Sequence, residues 1–138
     1  MTKKTFISFA VLVAILAVAI PWWAFKADGD RISEAEVPAG MEAGKSLFDT
    51  NCGNCHALYA AGTDGNFGPD LDDLLAPAGA PEGSGAEDTI KGFEGRVLIA
   101  IEKGADSSTV PGRMPGGILS GEQAEEVAEF VAHTAGQG

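Results

Sequence analysis

The sequence has few of the residues on which several classes of protein depend. Only nine of its 138 residues are lysine or arginine, against 20 aspartates and glutamates, and the net charge is −11. From residue 27 onward six basic residues face all 20 acids, a net charge of −14. Nucleic-acid binding requires a basic footprint, so no nucleic-acid partner is predicted. The negative charge favours protein partners with basic docking patches.

Cysteine and histidine are equally scarce, with two of each. That count excludes a framework of several disulfides and a four-cysteine zinc site. Beyond residue 26 the sequence has no tryptophan, no sustained alternation of β-branched residues, and neither a GxGxxG nor a P-loop pattern. These absences argue against a β-rich or nucleotide-binding domain. A length of 138 residues allows one domain and a short additional segment.

One long hydrophobic run is present, the 20 uncharged residues 6–25. As a helix it is about 30 Å long, which matches the hydrocarbon core of a bilayer. Lys3 and Lys4 precede it, which predicts a single-pass membrane anchor in residues 1–26 with a cytoplasmic N-terminus. The alternative is a cleaved signal peptide, because the Ala-Val-Ala stretch at 17–19 resembles a cleavage site. Both interpretations place the rest of the chain on the periplasmic or extracellular side.

The remainder of the chain predicts an all-α domain. Residues 27–37 are polar and lack periodicity, which indicates a linker, and the domain is expected at 38–138. Apolar spacing and capping residues predict four helices, at 39–51, at 70–75 with Asp70 as N-cap, at 95–103, and from Ser120 toward Gly136. The stretches 76–92 and 105–117 are rich in glycine and proline and are expected to be loops.

Both cysteines fall in one motif, Cys52-x-x-Cys55-His56. A disulfide and a redox-active dithiol of the thioredoxin kind are possible uses of such a pair. A zinc site is a third, but it needs two more ligands, and only His56 and His133 are available. Covalent haem is the fourth use: two thiols bond the porphyrin, and the adjacent histidine ligates the iron. A thioredoxin-like fold requires a strand before the motif, whereas a helical pattern precedes it here. The loops also lack a core of their own, which a large apolar cofactor would supply.

Further motifs follow in a characteristic order. Gly44 and Phe48 precede the cysteine motif, a Gly-Pro-Asp-Leu stretch begins at Gly68, and Met114-Pro115 follows a glycine-rich loop. In this order, residues 38–138 resemble the class I monohaem c-type cytochromes. The resemblance implies a small cytochrome c fold of three to five short helices around one covalent haem c per chain.

The resemblance also implies roles for single residues. Cys52 and Cys55 would form the thioether bonds, and His56 and Met114 would be the axial iron ligands. Pro69 would accept a hydrogen bond from the His56 ring through its carbonyl. Other members place an aromatic N–H near a haem propionate; candidates for that position here are Tyr59 and Arg96, and further Lys91 and Arg113. His133 is the rival distal ligand.

The function expected from the resemblance is one-electron transfer without enzymatic activity. The protein would shuttle electrons between a donor and an acceptor of a respiratory membrane, after haem-attachment machinery has loaded it. Two alternatives share the same residues: a fixed haem subunit of a larger oxidoreductase complex, and a haem-based sensor with an open sixth iron position.

Overall fold

The computed structural model describes residues 3–34, 37–107, 110 and 112–138. The chain divides into two compact units, Met1–Glu34 and Ala35–Gly138. In the first unit a single helix, α1 (Lys3–Glu34), covers the hydrophobic run and continues through most of the segment expected to be a linker. Residues 35–36, the rest of that segment before Val37, lie outside the described residues.

The structure does not support the predicted membrane span. Across the part of the chain that the structure describes, no helix has both the length and the hydropathy that crossing a bilayer requires. The anchor therefore stays a prediction.

The second unit is mainly helical, and the all-α class predicted for it is confirmed. Its elements in chain order are α2 (Glu42–Asn51), β1 (Ala57–Leu58), a 3₁₀ turn (Tyr59–Ala61), β2 (Thr63–Asp64), α3 (Leu71–Leu75), α4 (Ala86–Lys103), β3 (Ala105–Asp106), β4 (Arg113–Met114) and α5 (Glu122–Thr134). The strands form two antiparallel two-residue ladders, β1 with β2 and β3 with β4. The sequence predicted no strands, because two residues are too few for any alternation to show.

The core lies where α5 packs against α2 and α4. The Phe48 ring of α2 meets the Phe130 ring of α5 at 6.0 Å between centroids, tilted by 60°. Gly44 permits this approach: a Cβ there would clash with the Glu126 carbonyl oxygen and lie 2.8 Å from the Phe130 Cβ. The predicted apolar side of α5 is buried, whereas Glu122, Glu125 and Glu129 of the same helix are exposed.

Two predicted helix starts have different outcomes. Asp70 caps α3 as expected, because its carboxylate accepts hydrogen bonds from the amides of Asp72 and Asp73. Ser120 does not cap α5, so that prediction is wrong. The residue before α5 is Gly121, with a φ of +58° and no side-chain capping bond. That backbone turn, which favours glycine, directs the chain into the helix one residue later.

The start of α4 was also predicted wrongly. The helix begins at Ala86, inside the stretch 76–92 that was expected to be a loop throughout, and not near 95. Glu87 and Asp88 occupy its first turn, where the helix dipole favours acids, and Glu87 pairs with Lys91 at 2.8 Å. Gly92 and Gly95 lie in open space and are tolerated within the helix. Gly104 ends α4, as predicted.

One carboxylate joins three parts of the chain. The Asp72 Oδ2 accepts the Tyr59 amide at 2.8 Å, and its Oδ1 accepts the Gly136 amide at 2.7 Å. Ala80 donates its amide to the Gly136 carbonyl at 3.0 Å. The C-terminal residues are therefore held against α3 and the segment that follows the Cys-His motif.

The contact at Gly44 predicts a destabilising substitution. Gly44→Ala should lower the free energy of unfolding by about 1–3 kcal/mol, because the added methyl forces α2 away from α5. Urea unfolding followed by circular dichroism measures the change. Gly92→Ala, the same substitution in open space on α4, is the matched control and should raise stability by up to about 1 kcal/mol. Equal effects at both positions would contradict the close approach.

Candidate functional site

The Cys-His motif forms a tight turn at the end of α2. The Cys52 amide still donates to the Phe48 carbonyl of the helix, at 2.8 Å. The amides of Cys55 and His56 both donate to the Cys52 carbonyl, at 2.9 Å. Cys52 is buried and Cys55 exposed. The turn brings both sulfurs and the imidazole to the lining of one cavity.

The environment of Cys52 argues against a redox dithiol. Burial, and secondarily the neighbouring Cys55, raise the pKa of Cys52 to about 11. The thiol is therefore protonated at neutral pH, whereas thiol–disulfide chemistry requires a thiolate. Cys52 also follows the C-terminus of α2, where the helix dipole disfavours a negative charge. A helix precedes the motif, as predicted, and not the strand of a thioredoxin-like fold.

A zinc site finds no ligand cluster either. Within the described ranges, no group of three or more histidine, cysteine, aspartate or glutamate side chains could hold a metal ion. His133, the other candidate ligand, is exposed on α5 and lies outside the cavity lining that the structure describes.

One hydrogen bond fixes both the orientation and the tautomer of the His56 ring. Its Nδ1 lies 2.8 Å from the Pro69 carbonyl oxygen. A carbonyl only accepts, so Nδ1 carries the proton, and in the neutral ring Nε2 keeps its lone pair for a metal. Gly68 lies directly against the ring: a Cβ there would be 2.6 Å from His56 Cε1. The hydrogen bond that the resemblance implies for Pro69 is thus present.

A short glycine-rich loop encloses the Cys-His turn. A Cβ on Gly65 would lie 2.6 Å from the Cys55 carbonyl carbon and from the His56 amide nitrogen. The Gly68 amide donates to the Cys55 carbonyl at 2.7 Å, and the Thr63 hydroxyl to the His56 carbonyl at 3.0 Å. The glycines of this stretch indicate a close approach of the backbone, but their spacing in the sequence does not show which other backbone they approach.

The cavity has a volume of about 540 Å³ and mainly apolar walls. That volume lies within the range of pockets that bind organic cofactors. The bulky apolar side chains that line it come from every helix of the second unit except α2, and from the loops between them: Phe67, Leu71, Leu74, Leu75, Val97, Ile99, Ile101, Ile118 and Val127. A large flat apolar group would complete the core at this place.

Met114 lines the same cavity as His56. It lies in β4, half-buried, opposite Ala105 of β3. Gly104 allows the ladder to approach the end of α4, since a Cβ there would be 2.5 Å from the Met114 carbonyl oxygen. The backbone of Met114 is therefore anchored to the C-terminus of α4.

The remaining predicted residues divide into two groups. Arg96 and Arg113 line the cavity, and the Arg113 Nε lies 3.1 Å from the Asp106 Oδ1. Tyr59 and Lys91 are not among the described residues that line the cavity. The Tyr59 side chain lies beside Gly138, and Lys91 pairs with Glu87 on the exposed side of α4.

Together these residues fit a covalently bound iron porphyrin. Two thiols and an imidazole line one apolar cavity, and a thioether comes from a segment far along the chain. This is the donor set of haem c. Position 68 must be glycine for the imidazole to lie where it does, because the Cβ of any other residue would clash with the ring.

The comparison with known families gives the same answer. The model of the cytochrome c family matches residues 41–135, more than half of the chain, and includes both cysteines, His56 and Met114. Among solved structures, none matches the chain significantly. The chain therefore belongs to the cytochrome c family, whose members carry covalently attached haem c.

Proposed function

We propose that this protein is a one-electron carrier in which His56 and Met114 are the axial ligands of haem c. Family membership indicates electron transfer through haem c. The observation that carries the finer assignment is that Cys52, Cys55, His56 and Met114 line one apolar cavity. When bound, haem c supplies a ferrous/ferric couple.

The side chains around the cavity have separable tasks. Cys52 and Cys55 hold the cofactor covalently, and the Pro69 carbonyl keeps the imidazole of His56 in one tautomer. Met114 would supply the second protein ligand to the iron, which would leave no open site there for a substrate or a gas. This arrangement favours a carrier over an enzyme or a haem-based sensor.

Replacement of the distal ligand tests the assignment directly. Met114→Ala should retain covalent haem, lose the far-red sulfur-to-iron band of the oxidised form, and bind carbon monoxide when reduced. The reduction potential should fall by on the order of 0.1 V, because axial ligands set haem potentials across about 0.8 V. Absorption spectra and a redox titration measure these changes.

Met41→Ala is the matched control, because Met41 packs against the core from just before α2 and does not line the described cavity. It should retain the far-red band and the potential. If Met114→Ala leaves both unchanged, Met114 is not a ligand. If the wild-type protein already binds carbon monoxide tightly, a sensor becomes the better assignment.

Acidic charge would select the redox partners. Five basic residues lie between 37 and 138, and three of them, Lys45, Lys91 and Arg113, form ion pairs with acids at 2.8–3.1 Å. The exposed acids of α5, by contrast, face solvent. A surface of this kind steers basic docking patches toward the protein at rates that fall as salt increases. We infer that both donor and acceptor present such patches.

Small redox reagents of opposite charge test this steering. Oxidation of the reduced protein by a cationic cobalt complex should slow when ionic strength rises from about 0.01 M to about 1 M, where the Debye length falls from about 30 Å to about 3 Å. Oxidation by ferricyanide, an anion, should accelerate over the same range. The double variant Glu122→Gln/Glu125→Gln should weaken both dependences, and equal slopes for the two reagents would contradict an electrostatic role.

The proposed location is the outer face of the cell membrane, with the N-terminus cytoplasmic. Two observations support this location. The uncharged run 6–25 follows Lys3 and Lys4, and the large apolar side chains of the run that the structure describes are exposed. Such exposed apolar surface is unfavourable in water and favourable in lipid. Haem-attachment machinery would then act on the exported domain.

Cell fractionation and intact mass test the location. The haem protein should sediment with membranes, resist alkaline extraction, and have the mass of the full chain plus haem. A soluble periplasmic protein with a shortened N-terminus would show a cleaved signal peptide instead. Detergent-solubilised protein should elute alone; co-elution with other redox subunits would favour the fixed subunit of a larger complex.

A further inference from the structure

Two loops that line the cavity meet where Phe67 contacts Gly112. Phe67 belongs to the loop that carries Gly68 and Pro69, and Gly112 lies two residues before Met114. A Cβ on Gly112 would lie 2.5 Å from the Cδ1 and Cε1 atoms of the Phe67 ring and 2.6 Å from the Phe67 carbonyl oxygen. We call residues 112–117 the Met114 loop. Through Gly112, its backbone is in direct contact with both the ring and the backbone of Phe67.

Each of the two loops is anchored elsewhere. On the histidine side, the amide of Gly68 donates to the Cys55 carbonyl, and the carbonyl of Pro69 accepts from His56. On the methionine side, β4 pairs with β3 at the end of α4. The contact between Phe67 and Gly112 therefore joins two independently held segments and closes a chain of contacts from His56 to Met114.

Phe67 lines the apolar cavity and also contacts Gly112, so its ring meets both the cofactor-binding space and the backbone before Met114. A requirement for space against Phe67 explains why a residue without a side chain occupies position 112.

We propose that Phe67 is a positioning residue that holds the Met114 loop closed over the cavity. This inference rests on the proposed ligation by Met114 and extends it. The Phe67 ring supports the backbone two residues before the ligand and so limits how far the thioether moves away from the site. Phe67 does not itself contact the iron; it acts through Gly112 and the short β4 strand.

Displacement of Met114 by imidazole in the oxidised protein measures how firmly the loop is held. Phe67→Ala should lower the imidazole concentration that abolishes half of the far-red sulfur-to-iron band by about tenfold. Phe67→Leu, which restores an apolar side chain beside Gly112, should remain within about threefold of wild type. Gly112→Ala should weaken the loop like Phe67→Ala, because its methyl has no room against the ring and the carbonyl.

Phe93→Ala is the matched control, since Phe93 packs against the core from α4 and does not line the described cavity. It should leave the imidazole midpoint unchanged at a temperature where all variants are folded. An unchanged midpoint in Phe67→Ala, or an equal shift in Phe93→Ala, would overturn the positioning role.

Hydrogen exchange separates this inference from the ligand assignment. In the haem-loaded protein, Phe67→Ala should raise the exchange rate of the peptide containing residues 112–114 at least fivefold and leave peptides of α5 unchanged. If the wild-type protein lacks the far-red band, the assignment of Met114 as ligand fails, and the exchange rates alone decide whether Phe67 holds the loop. Unchanged exchange at 112–114 would overturn it.

Discussion

The close approach of backbone to backbone around the Cys-His turn is the constraint on which the rest of the structure depends. Gly65 lies against the Cys55–His56 peptide, and Gly68 lies against the imidazole. Only residues without side chains allow the loop to lie so near, and only at that distance does the Pro69 carbonyl reach the ring nitrogen. Orientation of the imidazole, its tautomer and one wall of the cavity therefore follow from two glycines and one carbonyl.

The sequence predicted the chemistry of the site better than its architecture. The Cys52–His56 motif, the Asp70 cap and the apolar side of α5 depend on short-range patterns, which is why they were readable without a structure. The contacts of Gly65, Gly68 and Gly112 depend on segments up to 45 residues away, and no local pattern encodes them. The early start of α4 was missed because the high glycine content of this stretch predicts a loop. The acids in its first turn, which favour a helix start, are a weaker signal.

The two walls of the cavity are built in different ways. The wall with His56 belongs to a continuous stretch that is internally bonded from Cys52 to Pro69. The wall with Met114 comes from a loop whose described residues are held by the β3–β4 ladder and by the packing of Gly104 and Gly116 at the end of α4. Because the His56 side has more internal bonds than the described residues of the Met114 side, the thioether proposed as a ligand is the one that local opening would release first.

The carboxylate of Asp72 limits where this domain tolerates additions. It accepts the Gly136 amide, while a Cβ on Gly136 would lie 2.5 Å from the Ala80 amide nitrogen, so the last residues are clamped between two segments. Gly83 and Gly85, in contrast, have open space around them. For attachment to an electrode or fusion to a partner, a linker inserted near residues 83–85 would leave the fold intact, whereas one joined close to Gly136 would compete with the Asp72 bond.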